Sequence, residues 1–114
     1  MIRPQHFPRG RDYTGLRCFY DPNPAQMADF DVSFLVEWEP PDAAWVWLGK
    51  GQLNRALLRE LLDWMADHGV KTIKAMRAEH RRLPGGVRQL DGSMWIDVAS
   101  MRQRYPFDTN FAPL

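Results

Sequence analysis

Residues 45–77 read WVWLGKGQLNRALLRELLDWMADHGVKTIKAMR, and this stretch decides the fold class. Leu53, Leu57, Leu58, Leu61, Leu62 and Met65 recur at three- and four-residue intervals, with Trp64 at the edge of the stripe. Arg55, Arg59, Glu60, Asp63 and Asp67 fill the opposite side. The spacing predicts an amphipathic helix over about 53–68, because 3.6 residues per turn gather those apolar positions on one face. Asn54 is its expected N-cap and Gly69 the residue that ends it. Trp45–Leu48 before the helix and Val70–Ala78 after it are short apolar runs expected as strands. Short links on both sides of a single helix favour a parallel pair joined by a right-handed crossover. At ~1.5–3 kcal/mol per large buried side chain, the helix is the main source of core energy. Leu61→Asp is therefore expected among the most damaging single changes.

Upstream, Phe30, Val32, Phe34, Val36 and Trp38 alternate with Asp31, Ser33, Leu35, Glu37 and Glu39. A period of two predicts a half-buried strand over 30–39 with a mostly acidic outer side. Pro40-Pro41-Asp42 then turns the chain, so 45–48 is expected as its antiparallel partner with both tryptophans on one face. Downstream, strands over 87–90 and 93–98 are expected around Asp91-Gly92 as a two-residue type I′ turn. That register sets Arg88 opposite Trp95, Gln89 opposite Met94 and Val87 opposite Ile96. It puts Val87, Met94, Ile96 and Val98 on the core and Arg88 over Trp95 as a cation–π pair. The expected fold is α+β: one domain over 30–100, with a small mixed sheet covered by one main helix. Residues 1–29, with Pro4, Pro8, Pro22 and Pro24, read as an extended arm that adds at most an edge strand at Leu16–Tyr20. Residues 101–114 read as an extended tail.

Composition narrows the function classes. With 114 residues and 45% hydrophobic content the chain is long enough for one core and no more. A net charge of +1 makes no case by itself for nucleic acid or a membrane surface. Cys18 is the single cysteine, which excludes an internal disulfide and suits a reducing compartment. Met1–Gly10 carries no apolar h-region, so no signal peptide is expected, and no run approaches the ~18–20 apolar residues of a membrane span. The expected location is the cytoplasm or the inside of a larger assembly such as a virion.

Charge is segregated. Arg3, Arg9, Arg11 and Arg17 oppose only Asp12 in the first twenty residues, whereas 21–48 hold Asp21, Asp29, Asp31, Glu37, Glu39 and Asp42 without a Lys or Arg. Lys71, Lys74, Arg77, Arg81, Arg82 and Arg88 follow against Glu79. Such blocks either pair with one another in the fold or form a two-faced surface that docks with partners or with copies of the chain. Arg77, Arg81, Arg82 and Arg88 beside Trp95 also make a candidate phosphate patch with a stacking platform for nucleic acid. His6, His68 and His80 lie too far apart for a ligand motif, so no metal is expected. Cys18, Ser33, Ser93 and Ser100 lack a nucleophile's setting. Glu37 and Glu39 share a strand side ~7 Å apart and read as solvated.

The Gly49-Lys50-Gly51-Gln52 loop enters a helix N-terminus, where free backbone N–H groups suit an anion. Here residues 45–98 resemble the GNAT acetyltransferase family. The likeness lies in the order of strand (AWVWLG), glycine loop, helix (LNRALLRELLDWMADHG), strand (VKTIKAMRA) and terminal hairpin (VRQLDGSMWIDV). In that family the loop holds the pyrophosphate of acetyl-CoA through backbone amides, in a [Q/R]-x-x-G-x-[G/A] pattern. Here Gly49, Gln52 and Asn54 stand at its fixed positions. The resemblance thus implies a reduced GNAT-like topology, and assigns Gly49, Lys50, Gly51, Gln52 and Asn54 to acetyl-CoA if the chain is an enzyme. Small acetyltransferase-like proteins of tailed phages are similar in style.

Two readings follow. In the first the chain is a non-enzymatic interaction or assembly protein with no cofactor, a virion or host-interaction component. Its contact residues are Arg77, Arg81, Arg82, Arg88 and Trp95 on one face, with Tyr105 and Phe107 in the tail. In the second it is a minimal acetyl-CoA-dependent N-acyltransferase, with Glu37 or Glu39 taking a proton from the amine through water.

Overall fold

The structure is a computed structural model that describes residues 1–9, 11–76 and 85–104, with the side chains of 5–12 left out. In chain order the elements are β1 (Ile2–Arg9), β2 (Arg11–Cys18), β3 (Val32–Glu39), β4 (Ala43–Lys50), α1 (Arg55–Asp67), β5 (Thr72–Met76), β6 (Val87–Arg88), β7 (Ser93–Asp97) and α2 (Val98–Arg104). Among the described residues seven strands form one mixed sheet in the order β1-β2-β3-β4-β5-β7-β6. Only the β4–β5 pair is parallel, and α1 is the crossover between its strands.

The alternation in β3 works as period two requires. Val32, Phe34 and Val36 are buried and Trp38 packs against the same core. Their neighbours across the ladders, Leu16 and Cys18 on β2 and Val46 and Ala44 on β4, face the same way. Ile73, Met94 and Ile96 extend this face across β5 and β7. Against it lie Leu57, Leu58, Leu61, Leu62 and Met65 of α1, together with Val98 and Met101 of α2. The helix ends as its sequence requires. Asn54 Oδ1 accepts the Leu57 amide at 2.8 Å, and Gly69 and Val70 donate back to Ala66 and Met65 at 3.0 Å each. That double return is a Schellman closure, with Gly69 at φ 78°.

Three expectations are corrected. Residues 1–29 are not simply an arm, because β1 and β2 pair antiparallel and widen the sheet beyond the small one expected. Pro4 and Pro8 are accommodated because β1 is an edge strand. Met1 C=O accepts the Phe19 amide at 2.8 Å, so odd-numbered residues turn their polar backbone groups toward β2 and even-numbered ones toward the open edge. Both prolines are even-numbered, so no ladder bond is lost.

The terminal hairpin has a different register, with Val87 opposite Trp95 and Arg88 opposite Met94. Gln89 donates to Ser93 O at 2.7 Å and Gly92 to Gln89 O at 3.1 Å, so the loop is Leu90-Asp91-Gly92, with Gly92 at φ 87°. Asp91 decides this. Its Oδ1 accepts both the amide and the hydroxyl of Ser93, at 2.9 and 2.6 Å, and those bonds hold its carboxyl below the usual range. A one-residue slip inverts every side chain, so Val87 faces solvent rather than core.

The expected tail from Met101 begins as helix. Asp97 Oδ2 caps α2 by accepting the Ser100 amide at 2.9 Å, and Met101 is buried. Arg59, Asp63 and Arg102 tie α2 to α1. Such exposed pairs contribute ~0–1 kcal/mol each. Residues 105–114 lie outside the described residues.

Cys18 is a core residue. Burial pushes its thiol up to about 12 from a usual value of 9.0. The folded state therefore keeps the neutral thiol while the unfolded chain ionises, so this contribution is complete below pH 9 and lost as pH rises toward 12. At pH 10.5 the loss should be about 2 kcal/mol at ~1.4 kcal/mol per pH unit. Urea midpoints of wild type and Cys18→Ala at pH 8 and 10.5 check this: the gap between them should narrow at the higher pH.

Candidate functional site

Both described helices lie on one face of the sheet, and among the described residues no helix lies over the other. Parity and register determine what that open face presents. One row crosses six strands: Tyr13, Glu37, Trp45, Lys74, Trp95 and Val87, each opposite the next. A second row sets Gly15, Leu35 and Trp47 side by side. Trp47 and Trp95 are each 40% exposed, Met76 50% and Val87 62%, and Leu35 is also exposed. These side chains make that face richer in large apolar groups than the polar, solvated side that a mostly antiparallel sheet commonly presents.

The ridge is internally ordered. The Trp45 and Trp47 rings stack at 5.7 Å with 14° between their planes. Lys74 Nζ lies 4.5 Å from the Trp95 ring centre and 5.8 Å from that of Trp45. Its charge is neutralised by Glu39, 3.0 Å from Oε2. The Tyr13 hydroxyl donates to Glu37 Oε1 at 3.4 Å. Trp95 Nε1 donates to Ser93 Oγ at 3.2 Å, so the indole is held by this bond at its edge and by Lys74 over its ring. Aromatic rings in fixed positions around a paired charge offer area and shape rather than a reactive group.

The residues assigned to acetyl-CoA do not make a cradle for it. Gly49 and Lys50 are the last residues of β4, with Lys50 opposite Ser33, and so are not loop. Gly51 turns its back on β3, and a Cβ there would sit 2.2 Å from Asp31 O. Gln52 C=O accepts the Tyr20 hydroxyl at 2.7 Å, and the buried Asn54 side chain is engaged in capping α1. Lys50 Nζ donates to Phe30 O at 3.1 Å. These contacts are the ones a folded turn makes.

Of the expected contact residues, the structure brings Trp95 to the open face. Arg88 belongs to the other parity and donates to Gly92 O at 3.0 Å, so the expected Arg88–Trp95 pair is replaced by Lys74 over Trp95. Arg77, Arg81, Arg82, Tyr105 and Phe107 lie outside the described residues. Glu37 and Glu39, expected as a solvated pair, border the aromatic ridge. Trp45, Trp47, Leu35 and Lys74 were not identified from sequence as part of a site. The signal for them was Leu35 among the polar positions of its strand, beside two tryptophans at i and i+2. No group of three His, Cys, Asp or Glu that could hold a metal is found among the described residues, and no described helix is long and apolar enough to cross a membrane. Compared with known proteins, the chain matches no family model, no curated protein and no solved structure.

Proposed function

We propose that the chain is a non-enzymatic assembly protein that docks through the open face of its sheet, with a second copy of itself as the occupant. The observation that supports this is the ridge of Leu35, Trp45, Trp47, Met76, Trp95 and Val87, which no helix among the described residues covers. Six strands ~4.8 Å apart and two rows ~7 Å apart along the strands make the ridge roughly 25 by 15 Å, somewhat under about 400 Å² in projection and more as accessible surface. A stable interface takes about 800 Å² from each partner, so the ridge would supply the centre of such a contact and the polar positions around it the rim. Glu37 and Asp97 border it and Lys74 at its centre is already paired with Glu39, so no unpaired cation among these residues opposes a two-fold contact in which the patch meets its own copy. Two such sheets would pack as a sandwich with ~10 Å between them. Assembly inside a virion, or contact with a host protein in the cytoplasm, is the setting that the phage-like style of the chain implies.

Sedimentation and light scattering across micromolar concentrations test this. Wild type should reach a dimer or larger species. Trp47→Glu and Trp95→Glu should each weaken it at least tenfold while circular dichroism stays unchanged, since both side chains are partly exposed. A wild type that stays monomeric throughout overturns self-assembly.

One observation favours the second reading, a minimal acetyl-CoA-dependent N-acyltransferase. The parallel β4–β5 pair with α1 between its strands matches the element order on which the GNAT resemblance rests. Calorimetry with acetyl-CoA decides it, and no heat at millimolar ligand ends that reading.

A further inference from the structure

At one end of the open face, away from the tryptophan ridge, the ladder sets Arg3 directly opposite Arg17 on adjacent strands. Like charges in that relation repel. Among the described residues neither guanidinium has an ion-pair partner. The next positions of the row are Ser33 and Lys50, which bring a third cation. Aromatic rings fix this arrangement. Arg3 Cζ lies 4.8 Å from the Phe19 ring centre, Arg17 Cζ 5.4 Å and Lys50 Nζ 4.7 Å from that of Phe30. Between Arg3, Arg17, Phe19 and Phe30 on one side and the segment bearing Gln26, Met27 and Ala28 on the other is a cavity of about 400 Å³, also lined by Pro4.

We infer that this cavity binds a small organic phosphate monoester, its dianion between Arg3 and Arg17 and its apolar body against Met27 and Phe30. Two guanidiniums side by side, neither ion-paired among the described residues, match a dianion, whereas the single charge of a carboxylate balances only one of them. The volume is that of a small-ligand site, and the lining combines an apolar wall with few polar groups: two guanidiniums and the Gln26 amide. Without a ligand the arginine pair is a local cost. With one it becomes the recognition element.

The test uses phenyl phosphate, inorganic phosphate, phenol and a dinucleotide with one phosphodiester, each titrated by calorimetry into wild type, Arg3→Gln and Arg17→Gln. Phenyl phosphate should bind wild type at least tenfold more tightly than inorganic phosphate or the dinucleotide, and phenol should give no heat. Each Gln variant should weaken phenyl phosphate at least tenfold while its ligand-free melting temperature stays equal or rises, because the repulsion is relieved. A purely structural arginine would move that temperature down. No binding of phenyl phosphate at millimolar concentration overturns the site, as does equal affinity in the variants. Tighter binding of the dinucleotide overturns it in favour of nucleic acid. Trp47→Glu, which tests self-assembly, should leave phosphate affinity unchanged, so the two proposals fail separately.

Discussion

Leu61→Asp should abolish the cooperative fold. Leu61 is 4% exposed on the stripe of α1 that faces Val46, Ile73 and their neighbours across the sheet. Removing the leucine forfeits ~2–5 kcal/mol of transfer and cavity energy. Burying a carboxylate without a partner adds several kcal/mol more. Total stabilities of small domains are about 5–15 kcal/mol, so the sum consumes most or all of it. Far-ultraviolet circular dichroism should show no cooperative melt, whereas Leu61→Ala should still melt cooperatively at a lower temperature. A melt of Leu61→Asp within a few degrees of wild type would mean that α1 is not the core helix.

Gly51→Ala should cost far more than Gly69→Ala, although both glycines have left-handed backbones, at φ 83° and 78°. At Gly69 a methyl group would meet nothing within 4 Å, so only the backbone cost of ~1–2 kcal/mol applies. At Gly51 it would lie 2.2 Å from Asp31 O and 3.1 Å from Val32 Cα. Those are backbone atoms at the start of β3, where Asp31 N also donates to Cys18 O at 2.9 Å, so relief requires moving a ladder. A loss above about 3 kcal/mol is expected, in the range reserved for named structural conflicts. Urea titration of the two variants measures the difference. Equal losses would leave Gly51 free for a ligand loop and strengthen the acyltransferase reading.

These two changes mark how far the residues could be read alone. Helix α1, both its caps, the β3–β4 hairpin and the parallel β4–β5 pair were all legible, because each rests on local periodicity or on a short link. The ends of the chain were not. Pro4 and Pro8 signal irregular backbone until β1 is known to be an edge strand, and that depends on which strands stand beside it. The hairpin after Val87 was misread by one residue because Asp91-Gly92 fits two loops. The bond from Asp91 to Ser93 and the pairing of Ile96 with Ile73 choose between them.

The glycine loop shows the same division. Local sequence makes Gly49-Lys50-Gly51 a candidate anion cradle, and only the contact with Asp31 from β3 reveals that Gly51 is required by packing. The candidate sites lay further out of reach. Trp45, Lys74 and Trp95 are far apart in the chain, and so are Arg3, Arg17 and Lys50. Strand parity alone says which side of its own strand each occupies. Bringing them into one row takes the registers of neighbouring strands, which are set by burial of the opposite face. By itself the sequence determined the amphipathic helix, its limits and the α+β class, since those follow from interactions within a few residues. The tertiary structure decided the width of the sheet, the open aromatic face and the arginine pair, because each depends on contacts between segments that meet only when the core forms.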